Sequence, residues 1–135
     1  MAAQLHFNLV SPERQLASRD VHMVVVPGED GDFGVLAGHA PFMSTIRPGV
    51  ISIYENAGGP AERIFIDGGF AEIGDGGLTI LAEQAQPVAD LNAEAVAQAL
   101  AEAREQQRIA RTDAERRHLS EAVARFEAMQ AALRN

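Results

Sequence analysis

The chain has 135 residues, 47% of them hydrophobic, and a formal net charge of −8. That suits one or two small domains with an ordinary core, and it argues against nucleic acid as a partner, because phosphate binding needs a basic face. Cysteine and lysine are both absent. Disulfides, cysteine-based zinc sites and a phosphate loop built on Gly-Lys-Ser/Thr are therefore excluded. No apolar run approaches the length of about 18 residues that a membrane helix needs, so no direct membrane insertion is predicted. The N-terminus shows no basic segment followed by an apolar run, so no secretory signal is expected.

The first predicted element is a strand. Leu5, Phe7 and Leu9 alternate with His6 and Asn8, which places the apolar set on one face. Val21 to Val26 is apolar at almost every position and reads as one strand, buried on both sides or lying at a sheet centre. Gly28 to Pro41 follows, reading G-E-D-G-D-F-G-V-L-A-G-H-A-P. Gly28, Gly31, Gly34 and Gly38 recur every three or four residues, a density that neither a helix nor a long strand tolerates. With Glu29, Asp30 and Asp32 interleaved, the segment predicts an acidic, tightly turned loop leading into a short strand and another turn.

Val50–Tyr54, Arg63–Asp67, Phe70–Ile73 and Leu78–Leu81 continue the strand pattern. Pro48-Gly49, Gly58-Gly59-Pro60, Gly68-Gly69 and Gly74-Asp75-Gly76-Gly77 supply the turns between them. Many short strands at close spacing predict a β-sandwich or barrel.

Composition changes abruptly after Pro87. All twelve glycines and all six prolines lie before residue 88. Beyond it come alanine, arginine, glutamate and glutamine, mostly good helix formers. Two helices are predicted. Asn92 caps the first, with Leu91 and Val96 as a hydrophobic staple, and Thr112-Asp113-Ala114-Glu115 is a capping box for the second. Val96, Leu100, Ala103 and Ala110 form one apolar stripe, and Leu119, Val123, Phe126, Met129 and Leu133 form the other. The predicted organisation is a sandwich over residues 1–88 and an antiparallel helical hairpin over 89–135. Much of the hairpin stripe is alanine, which gains far less on burial than the roughly 1.5–3 kcal/mol of a large apolar side chain. Docking of the hairpin on the sandwich is therefore expected to be reversible.

Read on residue chemistry alone, the acidic loop is a solvated turn. A calcium loop is not indicated, since the EF-hand spacing and its terminal glutamate are missing. His39 reads as a hydrogen-bonding turn residue, and His6, His22 and His118 are isolated, so no metal or other cofactor is predicted. Alternation lets only one of Phe42 and Met43 point inward. Ser11, Ser18, Ser44, Ser52 and Ser120 lack a nucleophile-elbow context, and the chain reads as non-catalytic. Glu105–Arg108, Asp113–Arg117 and Glu121–Arg125 have the spacing of helix-surface ion pairs.

Several of these pieces resemble one known family. The G-x-x-G-x-F-G-x-x-x-G-H-x-P run, Val10-Ser11-Pro12-Glu13, Arg47-Pro48-Gly49-Val50-Ile51-Ser52-Ile53, Gly68-Gly69-Phe70-Ala71-Glu72-Ile73 and Leu78-Thr79-Ile80-Leu81-Ala82-Glu83 occur in matching order. Together they resemble the epsilon subunits of F-type ATP synthases, most closely to about residue 88. The resemblance implies an α+β fold, with a flattened sandwich of about ten strands followed by a two-helix hairpin. It implies a non-catalytic subunit of the central stalk, coupling proton flow to ATP synthesis at the cytoplasmic face of a bacterial inner membrane.

By the same resemblance Glu29, Asp30 and Asp32 face the rotor ring of c subunits, and Ser11, His39, Pro41, Phe42, Met43 and Ser44 face the gamma subunit. Arg104, Arg108, Arg111, Arg116, Arg117 and Arg125 would meet acidic segments of the catalytic alpha and beta subunits when the hairpin extends, and so inhibit ATP hydrolysis. Some family members bind ATP through [Ile/Leu]-Asp-x-x-Arg-Ala at the start of the hairpin. The matching positions here begin with Leu91, Asn92 replaces the aspartate and Ala95 replaces the arginine, so no ATP binding is expected. A free-standing nucleotide sensor on the same scaffold would need that motif intact. A sandwich-fold metalloenzyme would need clustered histidines and carboxylates.

Overall fold

The computed structural model describes residues 3–135. They form two compact units, the first ending at Pro87 and the second spanning Val88–Asn135.

The first unit is a ten-stranded sheet curled into a sandwich. Its strands are β1 (Leu5–Val10), β2 (Gln15–Val21), β3 (Met23–Gly28), β4 (Gly31–Leu36), β5 (Phe42–Ile46), β6 (Gly49–Tyr54), β7 (Ala61–Ile66), β8 (Gly69–Gly74), β9 (Gly77–Ala82) and β10 (Ala85–Pro87). Their order is β10-β7-β6-β3-β5-β8-β9-β1-β2, with β4 paired to β3 off this path. Neighbours are antiparallel except β1 and β9, which run parallel. The two halves of the sheet meet where β3 pairs with β5 through the single pair Gly28↔Ile46. A sheet joined by so little can fold over on itself. Leu5, Phe7, Leu9, Ile73, Leu78 and Ile80 from one half then bury against Val24, Val26, Ile51, Ile53 and Ile66 from the other. Across the seam Arg19 of β2 pairs with Glu62 of β7 and, at 3.2 Å, with Glu55.

Val21 to Val26 is not one strand. The chain breaks at His22, whose N–H donates to the Tyr54 carbonyl at 2.8 Å. Val21 pairs with Leu5, whereas Met23 pairs with Leu36 and Tyr54. The buried phase shifts across the break, from Val21 to Val24 and Val26. Here the chain passes from one half of the sheet to the other.

One glycine shows why the sandwich turns need that residue. Gly69 has φ of +149°, and a Cβ on it would lie 2.0 Å from the Leu81 carbonyl oxygen. Only a hydrogen side chain fits such a backbone approach.

The second unit opens with a short 3-10 turn at Val88–Asp90, followed by α1 (Ala93–Arg108) and α2 (Asp113–Arg134). Both predicted caps form. The Asn92 side chain accepts from the Ala95 N–H at 2.9 Å, and Thr112 accepts from the Glu115 N–H at 3.0 Å. The Glu115 carboxylate turns back to the Arg111 N–H at 3.0 Å, one residue before the position a strict capping box uses. Ala110 lies past the end of α1 rather than on its stripe. Its carbonyl accepts from Arg116 at 3.1 Å, which holds it in the turn. The helices are also tied by Gln107 to Ser120 at 2.7 Å and Arg104 to Glu127 at 3.4 Å.

Candidate interaction surfaces

The acidic segment is a hairpin. β3 ends at Gly28, Glu29 and Asp30 form the turn, and β4 begins at Gly31. Gly28 must be glycine, since a Cβ there would lie 2.7 Å from the Gly31 carbonyl oxygen and 2.8 Å from the Phe33 ring. Asp32 was expected in the loop, yet it sits on β4 opposite Pro27. Its carboxylate accepts from Arg47 at 2.6 Å. Glu29 and Asp30 are exposed and enter no ion pair among the described residues.

The His39 turn lies at the other end of the sandwich. The His39 N–H donates to the Leu36 carbonyl at 3.2 Å, and its Nδ1 donates to the Ala40 carbonyl at 2.7 Å. The ring stands 6.4 Å from Phe42, which packs edge-on against Phe33 at 5.4 Å. Pro41 is exposed, and Ser44 is half-buried with its hydroxyl on the Thr45 carbonyl. Ser11 closes the β1–β2 turn with Arg14, at the same end as the acidic turn. The residues expected to face the gamma subunit are thus spread from one end of the sandwich to the other.

Of these, Met43 lies on the outer face of the sheet, whereas Phe42 and Ser44 share the phase of buried Ile46 and Ala71. Met43 on β5 is 61% exposed, and Leu81 on β9 is 50% exposed. Leu81 pairs with Phe70 on one side and Val10 on the other, so three apolar side chains line up across β8, β9 and β1. With Ser11, Pro12 and Glu83 they border a groove of about 440 Å³. Phe42 is also exposed, at 46%, although it shares the phase of buried Ile46. It pairs with core residue Ile73 and packs on Phe33, at the end of β5 that carries the His39 turn.

His6 on the outer face of β1 bonds Asp20 at 2.9 Å, with the Ser18 hydroxyl 3.5 Å from its other nitrogen. Among the described residues no group of three or more His, Cys, Asp or Glu side chains is placed to hold a metal.

In the hairpin, Arg108 clasps Glu105 through two bonds of 3.1 and 2.5 Å. That contact pulls the Glu105 carboxyl below its usual 4.5, burial opposing it weakly. Asp113 was expected to pair with Arg117 but pairs with Arg116, at 2.6 Å. Arg116 is already drawn back toward the turn by the Ala110 carbonyl, and so reaches the nearer acid. Arg111 and Arg117 enter no ion pair among the described residues. Arg125 lies 5.1 Å from the Phe126 ring centre.

Residues 4–88 match the family model described as the ATP synthase delta/epsilon chain β-sandwich domain. An ATP synthase epsilon chain of Maricaulis maris is 55% identical over 97% of both chains. One from Rhodospirillum rubrum is 49% identical over 98% of both. This chain belongs to the ATP synthase epsilon-chain family. It is a subunit of that complex. Among solved structures, the fold resembles a chain of the mitochondrial ATP synthase of Euglena gracilis, in a structure of its OSCP, F1 and c-ring. The TM-score is 0.86 at 29% identity, over 98% of this chain and 83% of that one. At the position of the family's nucleotide motif, the epsilon chain uses the Asn92 side chain as a helix cap, and Ala95 is exposed.

Sequence reasoning placed Val10, Phe70 and Leu81 in strands but gave them no part in a surface. The signal was present. Phe70 is out of phase with buried Ala71 and Ile73, and Leu81 with buried Ile80 and Ala82. Apolar residues at solvent-phase positions of adjacent strands mark a surface that meets something.

Proposed function

We propose that the chain is a non-catalytic rotor subunit whose outer sheet face seats the gamma subunit and whose acidic hairpin faces the c ring. The observation that carries this reading is the apolar row of half-buried Val10 and Phe70 and exposed Leu81, with exposed Met43 beside it. An apolar sheet face with a polar rim suits a permanent partner rather than solvent. The acidic turn, at one end of the same sandwich, suits basic or polar loops. In this reading the subunit transmits torque between proton flow through the ring and the catalytic head, at the cytoplasmic face of a bacterial membrane. The helical hairpin is its brake. Arg111 and Arg117, which enter no ion pair among the described residues, are its readiest contacts for acidic segments of the alpha and beta subunits. No ATP is bound by the hairpin itself.

The test is ATP hydrolysis by the matching catalytic complex stripped of this subunit, with add-back of the full chain, residues 1–88, or the full chain carrying Leu81→Glu. Gel filtration scores binding of each. Leu81→Glu is expected to weaken binding at least about tenfold, as loss of a central apolar contact does. Undiminished binding of that variant rules out the sheet face as the seat. If only the full chain suppresses hydrolysis, the hairpin is the brake; unchanged suppression by Arg111→Ala/Arg117→Ala counts against its arginines. If both lengths bind and neither suppresses, the brake is rejected and the coupling role stands alone.

A further inference from the structure

One guanidinium holds both sides of the acidic turn. Arg47 follows β5, well removed in sequence from the hairpin. Its Nη1 donates to the Gly28 carbonyl at 2.8 Å, and its Nη2 donates to Asp32 at 2.6 Å. Gly28 lies just before the turn and Asp32 just after it. The backbone joins in: the Arg47 N–H donates to the Pro27 carbonyl at 3.1 Å, and the Glu29 N–H to the Thr45 carbonyl at 3.0 Å.

The turn has few other means of keeping its shape. Gly28 has no room for a side chain, and Gly31, with φ of +134°, has nothing near its Cβ position. Glycine flanking both turn residues would leave them free to move, were the ends not fixed from outside. A planar, permanently charged fork can hold a carbonyl and a carboxylate together; a lysine, being a point charge, would hold only one of them well.

The clasp also decides which charges are on offer. Asp32 is neutralised locally by Arg47. Glu29 and Asp30 are the acids left at the tip.

We propose that Arg47 is the positioning residue of the acidic turn, that Asp32 serves as its anchor, and that Glu29 and Asp30 are the groups presented to a basic partner. The last clause rests on the reading that this turn faces the ring; the first two do not.

The first readout is amide hydrogen exchange, by NMR, at Glu29, Asp30 and Gly31 in the full chain without partners. Arg47→Ala and Asp32→Asn should each speed exchange of the Glu29 amide on the order of tenfold, as loss of a charged hydrogen bond does. Arg47→Lys should fall between. The exchanged pair Asp32→Arg/Arg47→Asp should stay fast, because an aspartate side chain at 47 has no N–H for the Gly28 carbonyl. Unchanged exchange in Arg47→Ala, or exchange restored to the parent rate in the exchanged pair, overturns the proposal. The second readout is ATP-driven proton pumping by the assembled membrane complex. Glu29→Gln/Asp30→Asn should reduce pumping more than Asp32→Asn does. If Asp32→Asn costs more, Asp32 is a contact and not an anchor, and that assignment is overturned. If exchange responds as expected and no variant affects pumping, the clasp stands and the ring-facing reading fails.

Discussion

In the sandwich, Phe7, Ile51, Ile66, Leu78 and Ile80 are fully buried. In α2, the longer of the two helices, only Ala122 and Ala132 are buried, and Leu119, Val123, Phe126, Met129 and Leu133 are half-exposed. Each large side chain of the first kind contributes about 1.5–3 kcal/mol, whereas a methyl group contributes about 0.8 kcal/mol. The hairpin relies correspondingly more on caps and polar ties at its ends: Asn92, Thr112, Gln107 to Ser120, Arg104 to Glu127. A unit with so few large buried side chains is expected to have lower local stability than one with a large core.

The largest expected effect lies in the sandwich. Phe7→Ala should lower its unfolding free energy by about 3–5 kcal/mol, the transfer loss plus the cavity. Urea unfolding followed by strand circular dichroism measures it; a loss no greater than that of a hairpin alanine would erase the contrast between the units. Gly69→Ala should cost on the order of 3 kcal/mol, because the left-handed backbone and the Leu81 carbonyl both refuse a Cβ. An Ala variant as stable as the parent in the same assay would show that the β8–β9 approach is loose.

How far these units could be read without coordinates differs for the same reason. Strands β1, β6, β8 and β9 follow from alternation at Leu5-Phe7-Leu9 and its later repeats, because one buried face leaves a period of two in the sequence. Both helix starts follow from Asn92 and Thr112, because a cap is a local bond over three residues. The break at His22 was not legible. It depends on pairing Val21 with Leu5 and Met23 with Tyr54, and local pattern carries no pairing information. Asp32 was misplaced for a related reason: its partner Arg47 stands far along the chain, across β5. The outer apolar row needs three strands side by side before Val10, Phe70 and Leu81 become one surface.

A middle-sized effect sharpens the comparison from the hairpin side. Thr112→Ala removes the oxygen that holds the Glu115 N–H and should cost about 1 kcal/mol, within the 0.5–2 kcal/mol range of lost caps. The prediction is selective. Amide exchange should quicken in the first turns of α2 and stay unchanged in β1, β8 and β9. Equal quickening in both units would mean that they unfold as one, and the hairpin would then be no separate element.

The smallest effect is a pH dependence confined to α1. Arg108 holds the Glu105 carboxyl below its ordinary 4.5. A carboxyl depressed in the folded state stabilises it at all pH above the unfolded value, and that contribution disappears as pH falls through the folded one. Glu105 lies on a fully exposed surface, so the effect is minor and screened by salt. Far-UV circular dichroism of the parent chain and of Glu105→Gln, titrated from neutral pH into acid, should show slightly more helix in the parent. The two curves should converge once the pH drops below the depressed value, and added salt should narrow the gap before that. The sandwich offers a control in the same tube: the strand signal should not follow this titration. A gap that persists in acid would mean that Glu105 stabilises α1 by something other than its charge on Arg108.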